Sequence, residues 1–199
     1  MKYNPDIHHR RSIRLRGYDY SQNGAYFITV CVHNRECLLG EIENEEIMLN
    51  NVGEMVQNEW KKIPERFPSV VLDVFVVMPN HFHGIFFICD EQEKNNINML
   101  GVPLVGTQTG KIIINGETIR VSPTRKNTIG DIIGAFKSII TNQYIHGVKE
   151  GKFSPFEKYF WQRNYYEHII RDERSLENIR NYIIQNPKKW KDDVLYKKF

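Results

Sequence analysis

Cysteine is scarce: the three in 199 residues, Cys31, Cys37 and Cys89, show neither a CxxC spacing nor an even count. That argues against a disulfide framework and against a zinc ribbon, and it fits a reducing, cytoplasmic compartment. Long apolar runs are missing too, since none approaches the ~20 residues that a membrane span needs. The opening MKYNPDIHHRRSIRLRG lacks the apolar stretch of a secretory signal, so membrane and secreted classes are set aside. Neither an internal repeat nor a low-complexity tract is present. What remains is 41% hydrophobic and 26% charged, enough apolar material for one core and so for one domain over residues 1–199.

Charge is distributed unevenly. Residues 1–20 carry a net +3, residues 21–124 a net −6 and residues 125–199 a net +6. Basic ends around an acidic middle suggest a polyanion partner, although solvated Lys and Arg faces produce the same signature.

Periodicity orders the elements. Ala25 to His33 alternates, with Tyr26, Ile28, Val30 and Val32 on one side, and reads as a strand. Val52, Met55, Val56, Trp60 and Ile63 then fall at helical spacing, with Pro64 as the stop. Val70 to Met78 is nearly all apolar, as a central strand should be, and Pro79-Asn80 turns the chain into a second strand, His81 to Ile88. Residues 91–126 read as a polar insertion, with a possible hairpin from Lys111 to Val121 closing on Asn115-Gly116. Thr128 and Asp131 form a capping-box pattern before an apolar stripe that runs to about Tyr144. Tyr159 to Ile170 is rich in strand formers, and Ser175 is the expected cap of a last helix whose Leu176, Ile179 and Ile183 face the core. Asn186-Pro187 should end it. The order β-α-β-β-(insert)-α-β-α specifies an α+β fold of the ferredoxin-like kind, an antiparallel sheet with helices packed on one face.

Two spacings carry chemistry. His81 and His83 stand two apart on a strand, so both imidazoles leave the same face and can share one ion, with Ile85 and Phe87 behind them. That places the pair at the rim of an apolar sheet; an ordinary strand end with solvated histidines would read the same way. Tyr182 and Asn186 stand four apart on the last helix, which stacks them on one side. A phenol with a reference pKa of about 10 attacks phosphate only when a metal or a base stabilises the phenolate, and an amide oxygen can serve that metal. A core tyrosine and a helix-ending asparagine give the same letters. Tyr165, Tyr166, Glu167 and His168 form a polar-aromatic cluster that can line the same pocket or stand as an edge strand.

Five blocks, Arg10 to Arg35, VFVVMPNHFHGIF (Val74 to Phe86), IGDIIGAFKSIIT (Ile129 to Thr141), FWQRNYYEHIIRDE (Phe160 to Glu173) and IRNYIIQNPKKW (Ile179 to Trp190), together resemble the REP-associated tyrosine transposases, a branch of the HUH single-strand DNA transposases and endonucleases. Residues 91–126 match nothing in that pattern. The resemblance implies that His81 and His83 bind a divalent metal, Mg²⁺ or Mn²⁺, that Asn186 completes its site, and that Tyr182 is the nucleophile, forming a 5′-phosphotyrosine. It implies single-stranded or hairpin DNA as partner, and a monomer or a homodimer. A basic N-terminal arm over about residues 1–20 then has a purpose: Arg10, Arg11, Arg14 and Arg16 clamp phosphates, as do Lys188, Lys189 and Lys191 past the helix, and Trp161, Tyr165 and Tyr166 stack unpaired bases. A binding module without chemistry and a metal-dependent phosphoesterase using water are the rival readings.

Overall fold

The structure, a computed structural model, describes residues 17–89 and 127–196. The arm arginines Arg10, Arg11, Arg14 and Arg16, the insertion at 91–126 and its expected hairpin at 111–121 lie outside these residues. In chain order the elements are β1 (Gly24–Cys31), β2 (Gly40–Glu43), β3 (Glu46–Leu49), α1 (Asn51–Lys61), α2 (Ile63–Arg66), β4 (Val70–Met78), β5 (His81–Ile88), α3 (Ile129–Lys149), β6 (Tyr166–Ile170) and α4 (Glu173–Gln185), followed by a 3₁₀ turn at Pro187–Asp192. Four strands form an antiparallel sheet in the order β4-β5-β1-β6, and β2 and β3 pair separately. Among the described residues no helix is long and apolar enough to cross a membrane.

The alternation in β1 and β5 divides the sheet into two apolar faces. On one, Tyr26, Ile28, Val30, Phe82 and Phe86 meet Val56 and Trp60 of α1 and Ile132, Ile133, Phe136 and Ile140 of α3. On the other, Phe27, Ile85 and Ile170 meet Ile183 of α4, with Leu176 and Ile179 partly buried beside it. The α+β antiparallel class is as expected from the sequence, but the helices do not all pack on one face. An amphipathic helix announces its own stripe and not which side of a two-faced sheet will receive it. Here Phe27 and Ile85 supply a second apolar face, and α4 takes it.

Two smaller expectations are also corrected. Of the strand expected over 159–170, only Tyr166–Ile170 pairs along β1, while Trp161 makes a single bridge to Val32. The aromatic residues upstream are spent on packing: Phe153, Phe156 and Phe160 surround the Tyr144 ring at centroid separations of 5.0, 5.7 and 4.7 Å. The cap of α4 is Asp172, whose side chain accepts from the Ser175 N–H at 2.7 Å, and not Ser175 itself. The β2–β3 hairpin, unread in the sequence, turns on Asn44 and Glu45 with φ of 49° and 66°. Glutamate in place of the usual glycine hides a type I′ signal. Thr128 and Asp131 do form the expected capping box, and α3 runs on from Tyr144 to Lys149.

One glycine is dictated by packing. A Cβ on Gly84 would lie 2.7 Å from Cζ2 of Trp60, a ring wedged between Phe82 at 4.5 Å and Phe136 at 5.3 Å and so unable to retreat. Gly84→Ala is expected to cost about 1–3 kcal/mol through overpacking. A urea midpoint that drops at unchanged m value checks this.

Candidate active site

Antiparallel pairing sets Thr29 opposite His83 and Cys31 opposite His81. The two-residue turn at Pro79-Asn80 starts β5 at His81, so both imidazoles project toward α4, with ring centroids 4.5 Å apart. They do not stand at a solvated rim. His81 is fully buried and His83 is 2% exposed. Phe27 stacks on His83 at 5.3 Å, Tyr182 of α4 closes on the same ring at 5.3 Å, and Trp190 covers His81 at 6.0 Å. The pair sits at a strand end, yet the chain beyond α4 folds back over it.

Burial keeps both rings neutral. It lowers the His81 pKa to about 3, with the nearby Arg35 charge adding to the effect, and it lowers His83 to about 3, where the second contribution comes from His81. A metal ligand must offer a lone pair, so this is the state that ligation needs. The tautomer of His81 follows from its neighbour. Asn80 Nδ2 donates to the carbonyls of Leu195 at 2.9 Å and Arg35 at 3.3 Å, which can only accept, so the amide oxygen must face His81. His81 Nδ1 therefore donates to Asn80 Oδ1 at 2.8 Å, and Nε2 carries the lone pair. On His83, Nδ1 meets the Thr29 hydroxyl at 2.8 Å and Nε2 lies 3.3 Å from the Tyr182 hydroxyl.

Tyr182 is 46% exposed, on the surface of α4 that turns toward the histidines. Its ring lies edge-on to Phe27 at 6.2 Å. Burial and then the Asp193 charge raise its pKa, while the Asn186 amide opposes them, so the phenol alone is protonated at neutral pH. What holds α4 at this distance is Ile183, 1% exposed, together with an ion pair. Arg180 donates from Nε and Nη2 to Asp73 Oδ2 at 2.8 and 2.7 Å, beside an irregularity in β4 between Leu72 and Phe75.

Asn186 ends α4, is 3% exposed, and buries an Oδ1 that accepts no hydrogen bond. His81 Nε2 is buried and unpartnered in the same way. Two orphaned lone pairs are costly unless something positive lies before them. Asp193, which the sequence did not point to, joins the histidines: ligating atoms of His81, His83 and Asp193 lie within 4.8 Å of one another. The residues present thus fit a divalent ion held by imidazole and oxygen with no thiolate, the donor chemistry of Mn²⁺ or Mg²⁺. Nothing in the local sequence singles out Asp193, which reaches the site only because residues 193–195 fold back onto the turn before β5.

The remaining expectations divide. Trp161 is 5% exposed, with its ring 4.7 Å from Phe160 and 6.5 Å from Phe136, so no face is left for a base and the stacking role expected for it is withdrawn. Tyr165 is partly buried against the core. Tyr166 is 53% exposed and lines a groove of about 440 Å³ with Phe27, His168, Arg174 and Asn178, alongside α4. Lys188, Lys189 and Lys191 are exposed on the 3₁₀ turn that follows Asn186.

The neutral histidines have a measurable consequence. Each titrates near 6.5 when unfolded and near 3 when folded, so between those values the unfolded chain binds more protons. In metal-free protein their contribution is whole above pH 6.5 and is lost as the pH falls toward 3, with a slope approaching about 2.7 kcal/mol per pH unit for two groups. Urea titrations from pH 7 to 4 should show this acid loss, and His83→Gln should flatten it by about half.

No protein-family model matches the chain. An uncharacterized protein of Haemophilus influenzae is 45% identical over 200 residues, covering 98% of this chain and 97% of its own length. Among solved structures, a REP-associated tyrosine transposase bound to a REP hairpin superposes with a TM-score of 0.51 at 19% identity, over 90% of this chain and 74% of that one. A structure from Deinococcus radiodurans, at TM-score 0.42 and 14% identity over 88% of this chain and 98% of that one, is too distant to carry weight. The chain therefore belongs to one family with the Haemophilus influenzae protein, and its fold is that of the REP-associated tyrosine transposase.

Proposed function

We propose that this protein is a metal-dependent tyrosine transposase or endonuclease of the HUH kind, one domain over residues 1–199, acting on single-stranded or hairpin DNA. The observation that carries the reading is the Tyr182 hydroxyl 3.3 Å from His83 Nε2, on a half-exposed helix face beside the buried lone pairs of His81 and Asn186. His81, His83, Asn186 and Asp193 would hold the ion, which would supply positive charge to a scissile phosphate and to the phenolate that Tyr182 becomes on losing its proton. Tyr182 gives up its hydroxyl proton to solvent, its oxygen bonds to phosphorus as the bond from phosphorus to the 3′ oxygen breaks, and the 3′ oxygen takes a proton from solvent. The products are a 5′-phosphotyrosine and a free 3′-hydroxyl that can reverse the step on another strand, so no nucleotide cofactor is consumed.

Lys188, Lys189 and Lys191 follow Asn186 directly and suit phosphates flanking that bond, while Tyr166 offers an exposed ring to an unpaired base. The transposase of the same fold is bound to a hairpin, which supports a hairpin substrate for this chain as well.

Labelled hairpin DNA incubated with Mn²⁺ and run on a denaturing gel tests the reading. Wild-type protein should yield a covalent adduct that EDTA prevents, and Tyr182→Phe should lower cleavage and adduct together by about 10³-fold or more, some 4 kcal/mol of barrier. EDTA-sensitive cleavage without an adduct would point to a phosphoesterase using water, and binding without cleavage to a non-catalytic module. Replacing Arg10, Arg11, Arg14 and Arg16 with alanine should reduce the salt dependence of binding by about 0.7 in log–log slope per lost contact. An unchanged slope would remove the arm from the interface.

A further inference from the structure

We propose that Asn80 is a positioning residue that latches the C-terminal segment onto the metal half of the site, so that docking of residues 193–195 and binding of a divalent cation are coupled. The inference rests on the metal reading of the histidine pair. Asn80 is fully buried, and its one amide group is used three times: Oδ1 accepts from His81, and Nδ2 donates to Leu195 and to Arg35. The same side chain thus fixes which His81 nitrogen bears the lone pair and where the backbone after Asp193 must lie.

The segment has a second tie and a consequence. Arg35 Nη1 donates to the Val194 carbonyl at 3.2 Å, and the Leu195 N–H donates to Asp193 Oδ1 at 2.6 Å, which turns the carboxylate inward. Its other oxygen, Oδ2, then lies 4.0 Å from His81 Nε2, with the Asp193 side chain only 4% exposed. Since Nδ1 of His81 holds the ring's proton, Nε2 and Oδ2 are two acceptors facing each other in a buried space, an arrangement that calls for a positive charge between them. A cation there gains Asp193 only while the segment is docked. By linkage, the cation must stabilise the docked segment by the same factor that docking adds to its affinity.

Asn80→Asp separates the two duties, because aspartate keeps an oxygen for His81 Nδ1 and loses both donations. Three measurements on the full chain follow. In metal-free protein, hydrogen exchange at the Leu195 and Tyr196 amides should quicken about tenfold in Asn80→Asp, as expected for the loss of two hydrogen bonds. The ¹⁵N shifts of His81 should still report a lone pair on Nε2. Mn²⁺ affinity, read from the free-ion paramagnetic resonance signal, should fall about tenfold in Asn80→Asp and in Asp193→Asn, with the double variant no weaker than either. Arg35→Ala, an exposed change that leaves Asn80 intact, should quicken the same amides and serves if Asn80→Asp fails to fold. Unchanged exchange in these variants would overturn the latch. Additive affinity losses would overturn the coupling. Wild-type chain that binds no Mn²⁺ while its exchange responds as expected would sink the metal reading and the coupling with it, and would leave Asn80 a purely structural tie.

Discussion

Two imidazole rings held 4.5 Å apart, buried and uncharged, are the condition on which the rest of this molecule's chemistry depends. Histidine in water is easily protonated near neutrality, and a protonated ring repels a metal. Burial, helped by the Arg35 charge at His81 and by His81 at His83, moves both groups to about 3, yet burial also makes an unsatisfied nitrogen expensive. The fold meets both demands by giving each Nδ1 a fixed polar neighbour, Asn80 for His81 and Thr29 for His83. Each Nε2 is then turned to one small space. Thr29 can do this only because β1 and β5 pair in a register that sets it against His83. A slip of one residue would put the apolar Ile28 or Val30 side chains on that face and send Thr29 into the core.

The opposite half of the site is built differently. Tyr182 lies on and Asn186 caps a helix that buries Ile183 alone among its apolar side chains, so little apolar surface holds it. Its placement is completed by the Arg180–Asp73 pair, in which a carboxylate side chain 3% exposed meets a partly exposed guanidinium through two hydrogen bonds to one oxygen. A buried carboxylate that lost this partner would be left uncompensated, so the pair specifies where α4 sits more than it adds net stability. Asp73 stands two residues after Val71, which pairs with Phe87 of the α4 face, so strand alternation already turns its side chain to the helix, just where the β4 ladder becomes irregular.

Much of this was legible in the letters. The alternation of β1, the apolar run of β4, the Pro79-Asn80 turn and the box at Thr128 are local signals, and each led to the correct element. The His81 and His83 spacing and the four-residue step from Tyr182 to Asn186 are local too, and the structure brings those four residues together. The rest required three-dimensional information. Trp161 and the phenylalanines before it have strand composition, but composition cannot tell a residue that pairs from one that fills a gap around Tyr144. Asp193 and Leu195 act on residues more than a hundred positions away through a chain reversal that no period encodes. The side of the sheet chosen by α4 was equally invisible, since Phe27 and Ile85 on one face and Ile28 and Phe86 on the other are apolar alike.

The partition of exposure across the site matches the substrate proposed for it. A charge acts on a phosphate most strongly where water is excluded, which favours ligands as buried as His81, His83 and Asn186. A polymer cannot enter a closed cavity, however, and a nucleophile that becomes bonded to it must stand where a long strand can arrive and stay. Tyr182 meets that requirement at 46% exposure, with its hydroxyl at the edge of the buried cluster and its helix flanked by the open groove past Tyr166 and Arg174. A pocket for a small phosphoester would gain from enclosing both halves. On the proposed function, the open half is the one that a strand of DNA would need, and the closed half is the one its phosphate would need.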